Sequence, residues 1–265
     1  MPRSWRMYMG VLALCSVAAS AQPKTENHHG EQGMQVVPNV AARRVDIMYD
    51  GAPFTSYVWP TTLKKPVLFP LIAPGGVTVS RGYPLAPRPG ERVDHPHHAG
   101  LWFNYGNVNG FDFWNNSDAI KPANRGKMGS IRQEKILSAH GGRDRGELAV
   151  QTVWVDGKGQ DLIRETTHFT FRHRPNANVI DMVTTLKALQ QVVFHDDKEG
   201  LLGIRVAHFL ESPTAKGGIF TDANGRVTNV AGDDTAGATG VYLTSEGKRG
   251  DAAWGTRGRW CILSG

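Results

Sequence analysis

From Val36 onward the chain alternates apolar and polar positions in short runs, the period-two signature of half-buried β-strands. Val45, Ile47 and Tyr49 alternate up to Asp50-Gly51, and Phe54, Ser56 and Val58 alternate after it, which predicts a hairpin. The runs PVLFPL and GVTVSRGY flank Pro74-Gly75-Gly76 in the same way. Leu148 to Val155 and Leu162 to Arg172 are long strand candidates around Asp156-Gly157-Lys158-Gly159, with Val179 to Leu189 as a third, and Asn224-Gly225 marks another hairpin within Gly218 to Val230. Ile180 to Gln191 is compatible with a helix, but its Val and Thr content suits a strand as well. The 31 glycines and 15 prolines are spread along the chain and read as turns. These patterns predict one all-β domain, a predominantly antiparallel β-sandwich over residues 36–265, and no repeat period that would suggest a propeller.

The first residues change the picture of where that domain works. Arg3 and Arg6 precede an apolar run from Met7 to Val17, and Ala19-Ser20-Ala21 follows, the order of a secretory signal peptide over residues 1–21. That run is shorter than the roughly 20 residues a membrane helix needs. Residues 22–35 are polar and aperiodic, a flexible leader that includes His28 and His29. A periplasmic or secreted protein without stable membrane insertion is expected. Cleavage removes Cys15 and leaves Cys261, expected to be a small buried hydrophobe within RWCIL, so stability must come from the core. The net charge of +6 falls once Arg3 and Arg6 are gone, and the remaining cations, among them Arg43-Arg44 and Lys64-Lys65, are too scattered to predict a nucleic-acid surface.

Candidate chemistry concentrates in two segments. In Asp94-His95-Pro96-His97-His98, an extended backbone would put His95 and His97 on one face and His98 on the other. Three imidazoles could ligate a divalent metal, hydrogen-bond a Pro-rich loop, or provide a general acid or base. Downstream, Trp102, Phe103, Tyr105, Phe111, Phe113 and Trp114 surround an Asn-rich turn. They read either as a hairpin feeding the core or as a carbohydrate platform, with indole faces on a sugar ring and Asn104, Asn107, Asn109, Asp112, Asn115 and Asn116 as hydroxyl partners. The second segment, His195-Asp196-Asp197-Lys198-Glu199, is a solvated turn unless it faces a cleft, in which case Glu199 or Asp197 is a candidate base, Lys198 an electrophilic or charge-pairing group and His195 an additional ligand. Asp233-Asp234 reads as a turn. No dinucleotide fingerprint, P-loop, nucleophile elbow or zincin helix is present.

The blocks VLFPLIAPGGVTVSRGYPL, ERVDHPHHAGLWFNYGNVNGFDFW, DDKEGLLGIRVAHFL and WGTRGRWCILSG resemble a family of exported bacterial proteins known as PmoA-like, over Val67 to Gly265. The label implies a membrane copper oxygenase subunit, yet no segment after the signal peptide is long and apolar enough for a membrane helix. The resemblance instead implies a secreted β-sandwich, such as a galactose-mutarotase-like supersandwich, that works beside carbohydrate-degrading enzymes. It also implies a further C-terminal stretch, so that the domain is expected to be incomplete. Carried over, the blocks single out Asp94, His95, His97, His98, Trp102, Asp112, Lys198, Glu199 and Arg205.

The resulting expectation is a carbohydrate-acting lyase, hydrolase or epimerase with a carbohydrate or glycoside ligand. His97, His98 and Glu199 are the expected catalytic groups, and Asp94, His95, Trp102, Asp112, Trp114, Lys198 and Arg205 the substrate-binding ones. Two other classes stay open: a non-catalytic carbohydrate-binding module, and a mononuclear enzyme with a His-ligated divalent metal as its cofactor.

Overall fold

The computed structural model describes residues 32–213, 217–222, 224–230 and 237–265. The proposed signal peptide, most of the leader and Asp233-Asp234 lie outside these residues. The first sheet is antiparallel and joins β1 (Met34–Asn39), β2 (Arg44–Tyr49), β3 (Ala52–Val58), β4 (Val67–Leu68), β5 (Leu101–Tyr105) and β10 (Gly200–Ile204) in that order. The second joins β6 (Ser130–His140), β7 (Gly146–Val155), β8 (Asp161–Arg174) and β9 (Ala177–Ala188), each antiparallel to the next. Among the described residues two further hairpins follow, β11 (Gly218–Thr221) with β12 (Val227–Val230) and β13 (Val241–Thr244) with β14 (Cys261–Ser264).

The sheets pack face to face because each turns one row of apolar side chains inward, by alternation in β2, β7 and β8 and across a bulge in β3. Val45, Ile47, Phe54, Tyr57 and Leu68 of the first meet Leu148, Val150, Phe169 and Phe171 of the second in one buried cluster. A second cluster surrounds Trp154, whose indole N–H donates to Glu165 Oε2 at 2.7 Å. Burial raises the Glu165 carboxyl above its ordinary range, against the hydrogen bonds that favour its charge. A third, smaller cluster places Trp102 and Trp114 on Val67 and Ala99, at the base of the histidine loop.

Several sequence expectations change here. β1 begins at Met34, whose side chain is buried, so the domain starts two residues before Val36. The strand expected over Val179 to Leu189 does form, as β9, and pairing along the whole of β8 decides against the helical alternative for Ile180 to Gln191. The predicted hairpin at Pro74-Gly75-Gly76 is reduced to an isolated Ile72–Thr78 bridge. Cys261 is exposed, since β14 is half of a two-stranded hairpin with an open face. Among the described residues, no helix is long and apolar enough to cross a membrane.

The packing predicts contrasting costs. Phe171→Ala should lower the unfolding free energy by about 3–5 kcal/mol, because it opens a cavity between the sheets. Val183→Ala, at a position 65% exposed on β9, should change it by less than about 0.5 kcal/mol. Urea titration of both variants checks the contrast.

Candidate acid–base site

The histidine loop winds around one buried cation. Arg81, only 1% exposed, donates from Nη1 to the Arg92 carbonyl at 3.2 Å and to Asp94 Oδ1 at 2.6 Å. Its Nη2 donates to the carbonyls of His95 at 3.1 Å and His98 at 3.0 Å. Four acceptors on the fixed fork of one guanidinium dictate the path of residues 92–98. The path is a turn, not an extended strand: the His98 N–H donates to the His95 carbonyl at 2.9 Å, and His95 has φ of 45°. All three imidazoles therefore cluster, with ring centroids of His95 and His98 5.1 Å apart and those of His97 and His98 4.2 Å apart.

Close backbone approaches hold the loop against the first sheet. A side chain at Gly100 would stand 2.0 Å from the Leu68 carbonyl oxygen, and φ of 57° there also favours glycine. Gly203 lies opposite Trp102, and a Cβ there would meet the indole at 2.2 Å, so its bare backbone lets the ring lie flat on β10. His98 stacks on that indole at 5.0 Å and accepts the Trp114 indole N–H on Nε2 at 3.1 Å.

The chain leaves β10 straight into the site. The Arg205 N–H donates to the Gly100 carbonyl and the Arg81 N–H to the Arg205 carbonyl, both at 2.9 Å, which lays Arg205 beside the loop. Its Nη2 lies 3.0 Å from Asp94 Oδ1 and 3.2 Å from Glu211 Oε1. Each of these carboxylates also carries a histidine: Asp94 Oδ2 is 3.2 Å from His95 Nδ1, and Glu211 Oε2 is 3.1 Å from His208 Nδ1. Arg92 Nε approaches the same Glu211 oxygen at 3.4 Å. Burial works to raise the Asp94 pKa, but Arg205, Arg81 and His95 outweigh it and hold the carboxyl below its ordinary value. Arg92, Asp94, Arg205, Glu211 and Tyr242 line an open cleft of about 420 Å³. Tyr242 is brought there by the Gly240 N–H donating to the Glu211 carbonyl at 2.9 Å, just ahead of β13.

This arrangement redistributes the expected roles. Asp94, His95 and Arg205 come together as one cluster, whereas Glu199 and Lys198 do not join it. Pairing of Gly200 with Tyr105 and of Ile204 with Leu101 puts Glu199 at the far end of the β5–β10 ladder. The four residue steps of that ladder alone span about 14 Å. Lys198 is 88% exposed and pairs with Glu199 at 3.1 Å, the geometry of a solvated turn. The Glu199 backbone carbonyl accepts the Gly106 N–H and its N–H donates to Asp197 Oδ1, so this block shapes a loop.

Trp102 and Trp114 are 3% and 7% exposed, so protein occupies the indole faces that a sugar would need. Asp112 accepts the N–H groups of Trp114 and Asn115, and the side chains of Asn104, Asn109 and Asn116 donate to backbone carbonyls; these residues fasten loops rather than face a ligand. Among the described residues, no three His, Cys, Asp or Glu side chains stand where they could hold a metal ion together.

His97 and His98 are poor proton carriers at neutral pH. Burial, reinforced by Lys65, His95 and Arg81, pushes His97 down to about 3. Burial together with the neighbouring imidazoles pushes His98 down to about 2. The exposed ring beside a carboxylate is His95. Sequence reasoning also passed over Arg81, Lys65, His208, Glu211 and Tyr242. The i, i+3 spacing of His208 and Glu211 was the available signal, since it puts a histidine beside a carboxylate on one turn of the 3-10 helix His208–Leu210.

Lys65 lies under the loop, donating to the His97 carbonyl at 2.7 Å with its ammonium 5.2 Å from the Trp102 ring centroid. Burial lowers its pKa to about 7, with Asp112 pulling it back up.

Two predictions follow from the loop. Arg81→Ala removes the side-chain donor from the Arg92, His95 and His98 carbonyls and one of the two guanidinia from Asp94, which keeps Arg205, and should cost roughly 3–5 kcal/mol in chemical denaturation. The protein should also lose stability on acidification. Between about pH 6.5 and 3 the unfolded chain binds protons that folded His97 and His98 refuse, and between about 10.5 and 7 the same holds for Lys65. Glu165, with its raised carboxyl pKa, acts in the opposite direction. The melting temperature should therefore fall from pH 8 to pH 5. His98→Asn, which keeps an acceptor for Trp114, should flatten the acidic limb and Lys65→Met the alkaline one.

Residues 44–265 match a family of unknown function (DUF6807). No curated protein and no solved structure matches the chain. The family match takes in both sheets from β2 onward and every residue of the Arg205 cluster, and the chain belongs to the DUF6807 family.

Proposed function

We propose that this is an exported acid–base enzyme that acts on a carbohydrate in the cleft beside Arg205. One observation carries the reading: Arg205 Nη2 joins two carboxylates, Asp94 and Glu211, each of which supports a histidine. A carboxylate hydrogen-bonded to Nδ1, as Glu211 is to His208, fixes the tautomer of a neutral imidazole and leaves Nε2 as the proton acceptor, and Asp94 lies within ion-pairing distance of His95. His95 is the more exposed of the two and serves as the base. His208 on Glu211 is the complementary acid. Sugar epimerisation, elimination and hydrolysis all need such a pair to take a proton at one position and return one at another.

The lining suits a polyol. Carboxylate and guanidinium groups pair with adjacent hydroxyls, and the Tyr242 ring offers the apolar face that the buried indoles cannot. Export is supported by the order of residues in the N-terminal segment and by the PmoA-like resemblance of the blocks that supply Asp94 and Arg205.

The test is turnover of a panel of oligosaccharides and glycosides, followed by NMR. His95→Ala and His208→Gln should each slow product formation by about 10²–10⁴-fold while the fold, checked by circular dichroism, persists. Undiminished rates in both variants refute the assignment. Binding of a glycan without turnover by the unaltered protein would make it a binding module.

A further inference from the structure

A second concavity, of about 570 Å³, shares no lining residue with the Arg205 cleft. Its walls are the turn between β1 and β2, the loop from Trp59 to Lys65, and the start of β6. Backbone hydrogen bonds make it a built groove. The Trp59 N–H donates to the Arg43 carbonyl at 3.0 Å, extending the β2–β3 ladder by one step. The Ile131 N–H donates to the Lys64 carbonyl at 2.8 Å, tying the loop to β6. Arg43, Lys64 and Arg132, from three separate segments, thereby line one groove together with Lys65, and no Asp or Glu lines it.

Two of these cations have partners outside the lining. Lys64 is 2.5 Å from the exposed Asp118, and Arg132 lies 3.8 Å from Glu134 and 3.6 Å from Asp161, at the long end of ion pairing. Lys65 sits at the base with its ammonium turned toward the His97 carbonyl. The remaining feature is Trp59, a partly exposed indole beside the cations.

We propose that this groove binds an acidic saccharide, with a pyranose ring packed on Trp59 and its anionic groups held by Arg43 and Arg132. The volume is that of a small-ligand site. A single indole favours a sugar over single-stranded nucleic acid, which uses successive aromatics to stack successive bases. The anionic group is a carboxylate or a sulfate, since both fit a guanidinium fork. The groove would hold an acidic glycan at a distance from the acid–base cleft, independently of what that cleft does.

Calorimetric titration of the whole protein decides it, with an oligogalacturonate, a sulfated galactose oligomer, a neutral galactose oligomer and an oligothymidylate as probes. An acidic saccharide should bind at least about tenfold more tightly than the neutral one, and added salt should weaken it. Carboxylated or sulfated binding identifies the anionic group. Arg43→Asn, which tolerates the φ of 53° at that turn, and Arg132→Gln should each weaken binding about tenfold or more. Trp59→Ala should do the same, with Trp59→Phe retaining most of the affinity as a check on folding. His95→Ala should bind as the unaltered protein does, which separates this site from the acid–base cleft. The proposal fails if neither acidic saccharide binds, if the neutral oligomer binds equally, if the oligothymidylate binds more tightly, or if the arginine variants match the unaltered protein.

Discussion

The site depends on one cation buried where water cannot reach it. Burial lowers the Arg81 pKa to about 10, assisted by the nearby Arg205 and opposed by Asp94 and Glu211. Even so the guanidinium stays charged at neutral pH and needs acceptors to be tolerated in that place, which both terminal nitrogens have, while the buried Nε has none. Its acceptors are three backbone carbonyls and one carboxylate, all within residues 92–98. The loop therefore has little freedom to fold otherwise. Asp94 is aimed, His95 is turned outward, and His98 is pressed onto Trp102 as consequences of a single ion's need for partners.

From Arg81 the charges alternate through Asp94 and Arg205 to Glu211, which Arg92 and His208 also approach. Such a chain is costly to dehydrate and gains little net stability, but it fixes geometry well. The carboxylates that orient two histidines are held by guanidinia instead of by loops alone. Rigidity of this kind lets two histidines keep a set spacing on a scaffold whose other loops are long.

The architecture was legible in the sequence because strand alternation is a local property. β2, β7 and β8 follow the apolar positions closely, whereas in β3 the register shift opposite Ile47 and Met48 breaks the alternation, so that Phe54 and Tyr57 enter the core. The site was only half legible, for a different reason. Asp94, His95 and Arg205 could be singled out, but which carboxylate joins them depends on strand register, which a linear reading does not contain. The block at Glu199 and the residue Glu211 flank the same strand, β10, and the antiparallel pairing with β5 sends one to each end. The Trp and Asn content misled because a sugar platform and a tightly knotted loop over a core have the same composition. Of the groove cations Arg43, Lys64 and Lys65 were visible within the scattered pairs Arg43-Arg44 and Lys64-Lys65, whereas Arg132 was not singled out, and only folding makes them neighbours.

The backbone at His95 is left-handed, a conformation that Gly, Asn, Asp and His enter more readily than other residues. Gly carries no functional group, Asn no basic atom, and Asp would set a second negative charge against Asp94. Among these residues, histidine alone brings a basic ring nitrogen to that position without added negative charge. Divergence of the site would therefore have to begin with the loop's shape, and any new chemistry at residue 95 would require Arg81's hold on its carbonyl to be rebuilt first.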